Sequence, residues 1–298
     1  MNIFKIIFSI TLLLVTFCAH ANLEIFACEP EWAALATELG GKNVEVFSAT
    51  TGKQDPHHIE ARPSLSAKIR RADLIVCSGA ELEVGWLPVL MKTAGNDKIM
   101  LGKPGYFMAS DYVPLFEKSA TVDRSQGDIH TAGNPHIQTN PHNIAMVAAA
   151  LKERMSELDA TNATAYDTGY RNFIGRWNAA MTRWEKQAEA IKHHAFAVNH
   201  SSWIYLATWL DIDISVTLEP KPGIPPTAEH LAKLIKTIQQ KNIHKIIYSA
   251  YESPRAAHWL AEKSGAQAIE LPFTVGGNDK VNNLFDLFDY TVNALTAN

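Results

Sequence analysis

Short apolar runs rich in β-formers alternate with amphipathic runs along most of the chain. "NLEIFAC" gives way to "EPEWAALATELGG", which closes on glycines as helices often do. "NVEVFSAT" follows, then a loop with two histidines, then "SLSAKIRRA". "DLIVCSG", "VGWLPVLMKTA" and "KIML" complete a first set, with "KIML" read as its last strand. Further on the alternation resumes: "AFAVNH", "SSWIYLATWL", "DISVTLE", "TAEHLAKLIKTIQQ", "KIIYSAY", "PRAAHWLAEKSG", "AIELPF" and a closing "VNNLFDLFDYTVNAL". Strands such as "DLIVC" are nearly all apolar, as strands covered on both faces are. The pattern predicts an α/β protein with parallel sheets and flanking helices.

Between the two sets the periodicity changes. Residues 102 to 140 are irregular and rich in Gly, Asp, Ser, Thr and Pro, and a stretch this long without a period is usually functional or mobile. A helical region then runs from about Asn143 to Ile191. Its second half carries Tyr166, Tyr170, Phe173, Trp177, Met181, Trp184, Ala188 and Ile191, in steps of three and four. Such a stripe reads as the core-facing side of one long helix. The expected architecture is two Rossmann-like lobes joined by one long rigid helix. Its boundaries fall at 22–160 for the first lobe, 161–191 for the linking helix and 192–298 for the second lobe.

The first 21 residues read differently. One lysine, an unbroken apolar run "IIFSITLLLVTF" and a small-x-small "AHA" describe a secretory signal peptide cut after Ala21. The run is short for a membrane span, and Phe17 is bulky where lipidation at Cys18 would need a small residue. Export makes a disulfide between the other two cysteines, Cys28 and Cys77, plausible. Each ends a strand-like run, and the alternative is a pair of buried thiols. A net charge of −4 leaves no basic footprint for nucleic acid.

Of twelve histidines, three stand out by position. His57 follows "VEVFSA", His136 lies in the long loop after the first set of strands, and His200 directly follows "AFAVN". Ligands of open parallel sheets bind beyond the carboxyl ends of the strands. Three imidazoles in one such crevice suit a borderline divalent metal ion, zinc above all. Histidines 193, 194, 230, 244 and 258 flank or lie within regular elements and read as surface or capping residues.

The motifs "DPHHIEARPS", "ADLIVCSGAELEVGWLP", "GNPHIQTNP", "VNHSSWIYLA" and "LPFTVGG" occur in that order along nearly the whole chain. Together they resemble the periplasmic metal-binding proteins of zinc and manganese ABC transporters. The resemblance implies ligands His57, His136 and His200 between two lobes, zinc(II) as transported ligand and a membrane permease as partner. It also implies a periplasmic monomer that is not an enzyme. A histidine in the third place, where manganese carriers usually have glutamate, favours zinc. The fourth ligand is usually an aspartate near the last strand. Here that position is apolar, which leaves Asp279, Glu60 or a water. His130 reads either as the remnant of a histidine-rich loop that catches metal or as a solvated side chain. His58 is read either as a neighbour of the site or as exposed, and His142 as the start of the next helix.

Three rival readings stay open at this point. A secreted zinc hydrolase would use three histidines, a metal-bound water and Glu60 or Glu219 as base, although no H-E-x-x-H helix is present. A carrier of haem or chelated metal would need the aromatic residues to line the cleft. A surface adhesin is also compatible with the resemblance.

Overall fold

The computed structural model describes residues 22–118, 127–128 and 130–297. The expected signal peptide lies outside them. No described helix is long and apolar enough to cross a membrane.

Two four-stranded sheets form, both wholly parallel. The first has strands β1 (Leu23–Ala27), β2 (Val44–Ser48), β3 (Leu74–Cys77) and β4 (Tyr106–Met108), in the order β2-β1-β3-β4. The second has β5 (Ala195–Val198), β6 (Asp213–Thr217), β7 (Lys245–Ser249) and β8 (Gln267–Leu271), in the equivalent order β6-β5-β7-β8. Each order doubles back beside the first strand of its lobe, so the loops leaving the strands open into a crevice.

Helix α1 (Pro30–Gly40) shows how local sequence sets an element. Pro30 occupies its first turn, where a missing N–H is no loss. Trp32, Leu35, Ala36 and Leu39 form its buried stripe, and Gly41 ends it at φ 54°, with its N–H bonded to Thr37 O. Helices α2 (Pro63–Arg71) and α3 (Leu87–Ala94) cover the other face of the first sheet.

"KIML" is not a strand. Asp97–Ile99 is a 3-10 turn whose first N–H groups are served by Asn96, with Lys98 N donating to Asn96 Oδ1 at 3.1 Å. Ile99 is buried, whereas Met100 and Leu101 are exposed. The fourth strand is the shorter run Tyr106–Met108, which pairs with β3 from Ile75 to Cys77.

Helices α4 (Pro141–Leu158) and α5 (Ala163–Ala188) follow, and a 3-10 turn carries α5 on to Ile191. The aromatic stripe is core: Tyr166, Phe173, Trp177 and Trp184 are buried. Trp177 Nε1 donates to Pro141 O at 2.9 Å, and Trp184 Nε1 to Asp289 Oδ1 at 2.6 Å. Asp289 belongs to α9 (Leu284–Thr296), which returns along α5 and places Leu284, Leu287, Phe288 and Val292 in the first lobe's core. Phe288 packs edge-on to Trp177, with ring centroids 5.4 Å apart, and lies 5.2 Å from Trp184. The chain therefore joins the lobes through α5 and again through α9.

A disulfide links Cys28 and Cys77, just past β1 and at the end of β3. It closes a 49-residue separation and stabilises the fold by about 2–4 kcal/mol, chiefly by restricting the unfolded chain. Beside it three carboxyl groups are buried. Ser78 N donates to Glu83 Oε1 at 2.7 Å and to Glu29 Oε2 at 3.2 Å, and Gly79 N also donates to Glu83. Glu31 accepts from Thr274 Oγ1 at 2.5 Å across the lobe boundary. Burial pushes Glu31 and Glu83 up to about 7, and burial plus its carboxyl neighbours raises Glu29 well above the ordinary carboxylate range.

Candidate metal centre

The three histidines come from separate strand ends. β2 runs out at Ser48, and the following loop is tied back by Trp86 Nε1, which donates to Pro56 O at 3.0 Å. Within it Asp55 Oδ1 accepts from the backbone N–H of His57 at 3.0 Å and from its Nδ1 at 2.7 Å. One carboxylate thus fixes both the backbone and the ring of His57, leaving Nε2 facing inward, buried and without a partner. Asp55 itself is held below its ordinary range: burial would raise it, but the bonds and charge of His57 outweigh that.

His136 sits at the start of a 3-10 turn (Ile137–Thr139). Its N–H is held by Asn134 Oδ1 at 3.0 Å, and its carbonyl accepts from Thr139 Oγ1 at 3.0 Å. The ring is buried, and its Nδ1 has no partner. His200 lies two residues past β5, and its Nδ1 meets Glu219 Oε2 at 2.7 Å. Glu219 is fixed in turn by the N–H of Gly223 at 2.8 Å. A carboxylate behind a histidine sets its tautomer and turns the other nitrogen toward a metal.

One nitrogen from each of His57, His136 and His200 lies within 4.8 Å of the others. Ring centroids are 5.2 Å apart for His57 and His136, 5.8 Å for His57 and His200, and 5.7 Å for His136 and His200. Two imidazoles come from the first lobe and one from the second, as the strand-end argument anticipates. His130 adds a fourth ring, 5.3 Å from His57 and 6.3 Å from His136, outside the tight group. Its Nε2 is buried and unpartnered.

The electrostatics oppose protonation of two rings of the group, His136 and His130. His136 is pushed well below its ordinary value by burial and by the rings of His57, His200 and His130. His130 falls to about 4, from burial and His57. Burial would also lower His200, but the bond and charge of Glu219 raise it. A chamber that gathers imidazoles with buried, unpartnered nitrogens has the donor chemistry to receive one cation.

The structure does not bring the proposed carboxylates into this group. Asp279 is exposed on the turn after β8 and lies outside the tight group. That loop is held against the first lobe, where a Cβ on Gly52 would fall 2.3 Å from Gly277 N, so Gly52 is required for the close approach. Phe273 packs edge-on to His136 at 5.3 Å on this side. Glu60 is exposed as well, and Glu219, the other base of the hydrolase reading, is committed to His200. His58 is exposed, with Nε2 3.7 Å from Asp128 Oδ2. His142 stands at the start of α4 and pairs with Glu185 at 2.9 Å. Sequence reasoning missed Asp55 and Asn134, each two residues before a histidine, although that spacing is the sign of an Asx turn.

A parallel two-lobed α/β fold with imidazoles converging on its cleft describes a metal-binding solute-binding protein. The chain matches the family "zinc-uptake complex component A, periplasmic" over residues 25–298, and it belongs to that family. It is 23% identical over 255 residues to the manganese ABC transporter substrate-binding lipoprotein PsaA of Streptococcus pneumoniae, covering 85% of this chain and 80% of that protein. To the metal ABC transporter substrate-binding lipoprotein SsaB of Streptococcus sanguinis it is 24% identical over 172 residues, or 57% of this chain and 51% of that one. The iron ABC transporter substrate-binding lipoprotein MtsA of Streptococcus pyogenes is also 24% identical, over 60% of this chain and 54% of that one. The match to SsaB and MtsA thus spans about half of their length. Among solved structures, that of ZnuA superposes with a TM-score of 0.75 at 22% identity, covering 92% of this chain and 99% of that one. The cadmium-bound periplasmic metal-binding protein of Candidatus Liberibacter asiaticus gives 0.74 at 16% identity, covering 91% and 97%.

Proposed function

We propose that this chain is an exported binding protein that takes one zinc(II) ion between its lobes and delivers it to a membrane ABC importer. The observation that carries the reading is the convergence of His57, His136 and His200 from both lobes within 4.8 Å. Relatives named for manganese and iron transport support a metal cargo, and the all-imidazole donor set favours zinc over manganese. The fourth coordination position is left to water or to a donor from solvent, because Asp279 and Glu60 are exposed away from the rings. His130, at the edge of the group, receives the ion on its way in. The protein acts as a periplasmic monomer after cleavage following Ala21, and it is not an enzyme. With two connections between the lobes and an aromatic core along α5, the cleft changes little on loading, and the docked transporter drives release.

Elemental analysis of the purified protein tests this. Zinc is expected at one ion per chain, falling to background in His57→Ala, His136→Ala and His200→Ala. Undiminished zinc in the three variants, or bound manganese or iron in place of zinc, would overturn it.

A further inference from the structure

A cavity of about 650 Å³ opens directly onto the histidine group and is lined by both His57 and His200. A single ion does not need it: each water completing a coordination sphere takes only about 30 Å³. This volume lies in the range of pockets that hold small organic ligands, about 300–1,000 Å³.

Its walls have a definite chemistry. Four carboxylates border it, and each is already engaged. Asp55 holds His57, Glu219 holds His200, Asp128 faces His58, and Glu252 accepts from Ser249 N at 2.5 Å. The arginine of the lining is not engaged: among the described residues, Arg255 forms no ion pair and is exposed. Arg255 is also the first residue of α8 (Arg255–Ser264), and Ala228, the first of α7 (Ala228–Gln240), lines the same cavity. Two helix N-termini therefore open onto it, each with free N–H groups and a positive dipole end. Trp259 and Pro225 add an apolar wall. On the side of the rings, the buried Nε2 of His57 has no partner. The cavity thus combines, in one lining, imidazole donors for a metal with an unpaired guanidinium and two helix N-termini.

We propose that this cavity binds a small carboxylate-bearing chelator together with the ion. One donor of the chelator fills the coordination position that the chain leaves open, and a carboxylate reaches Arg255 and the helix N-termini. The inference rests on the metal-binding reading above and names the form in which the cargo arrives. Citrate and free histidine share the required chemistry: each offers a carboxylate and a second donor.

The test uses the mature metal-free protein, loaded with zinc alone, zinc plus citrate, or zinc plus L-histidine, and read by native mass spectrometry and equilibrium dialysis. A complex of one protein, one zinc and one chelator is expected in at least one of the last two arms, and the arm that forms it identifies the source. Arg255→Ala should lower chelator retention about tenfold, the scale of one lost charge-assisted pair. Zinc taken up without chelator should follow the parent, because Arg255 is outside the imidazole group. The inference is overturned if both chelators act only as competitors that strip zinc. It also fails if a chelator is retained equally without zinc, or if retention is indifferent to Arg255→Ala. Failure of the underlying reading looks different: no zinc would bind in the chelator-free arm.

Discussion

Two buried polar clusters lie in this molecule, and they resolve the same problem in opposite ways. The imidazole cluster joins the lobes in the cleft, and the carboxylate cluster of Glu29, Glu31 and Glu83 lies beside the disulfide. In both, like groups are crowded out of water. The carboxyl groups are held above their ordinary range and are met by the N–H groups of Ser78 and Gly79 and by Thr274, with Glu29 Oε1 left without a partner. His136 and His130 resist protonation, and nitrogens of His57, His136 and His130 are left without partners. A largely satisfied cluster strengthens a fold, whereas one that leaves an open nitrogen on three of its rings is a standing demand for a ligand. The contrast separates structure from function more clearly than burial does, since both clusters are buried.

The largest effect should come from deleting the most unsatisfied member. His136→Leu, close in volume, is expected to lower zinc affinity by more than about 100-fold, through loss of a ligand. It should also stabilise the metal-free protein by about 1–2 kcal/mol, because an unpartnered buried nitrogen is removed. Isothermal titration and chemical denaturation measure the two quantities, and a variant less stable without metal would break the contrast. Next, Glu219→Gln keeps an acceptor for His200 but removes the charge behind it. Zinc affinity should fall about 10-fold, at the lower end of losses for groups that orient metal ligands, and unchanged affinity would deny Glu219 that role.

A last test concerns the carboxylates and stability rather than zinc affinity. Glu31 stands at about 7 in the folded protein against an ordinary value of 4.5. The folded state therefore binds the extra proton, so its contribution to stability is complete below about pH 4.5 and is lost as pH rises toward 7. Glu31→Gln retains an acceptor for Thr274 and cannot ionise. It should match the parent near pH 4.5 and exceed it by about 1–3 kcal/mol at pH 8. Parallel stability curves across that range would show that the carboxylate cluster does not hold its protons.

Much of this was legible in the sequence, for a physical reason. Strand runs such as "DLIVC" and the stripe from Tyr166 to Ile191 have strong periods, and His57 and His200 follow strands closely enough for the strand-end rule to find them. The fourth strand was not legible: three residues, Tyr106–Met108, have no measurable period, while "KIML" nearby is apolar without being extended. The carboxylate cluster escaped because Glu31 resembles an ordinary acidic residue in a first helical turn. Yet "CEPE" and "SGAELE" also follow strands, and the rule that marked the histidines applies there equally. The position of Asp279 depends on a backbone contact between Gly52 and Gly277, more than two hundred residues apart, which no local pattern encodes.

The return of α9 has a consequence for how the chain folds. The cover for Phe173, Trp177 and Trp184 comes from Phe285 and Phe288 of α9, which follow the second lobe's sheet in sequence. Until α9 docks, that flank of α5 stays bare, so the first lobe completes its core only with residues that come after the second lobe's strands.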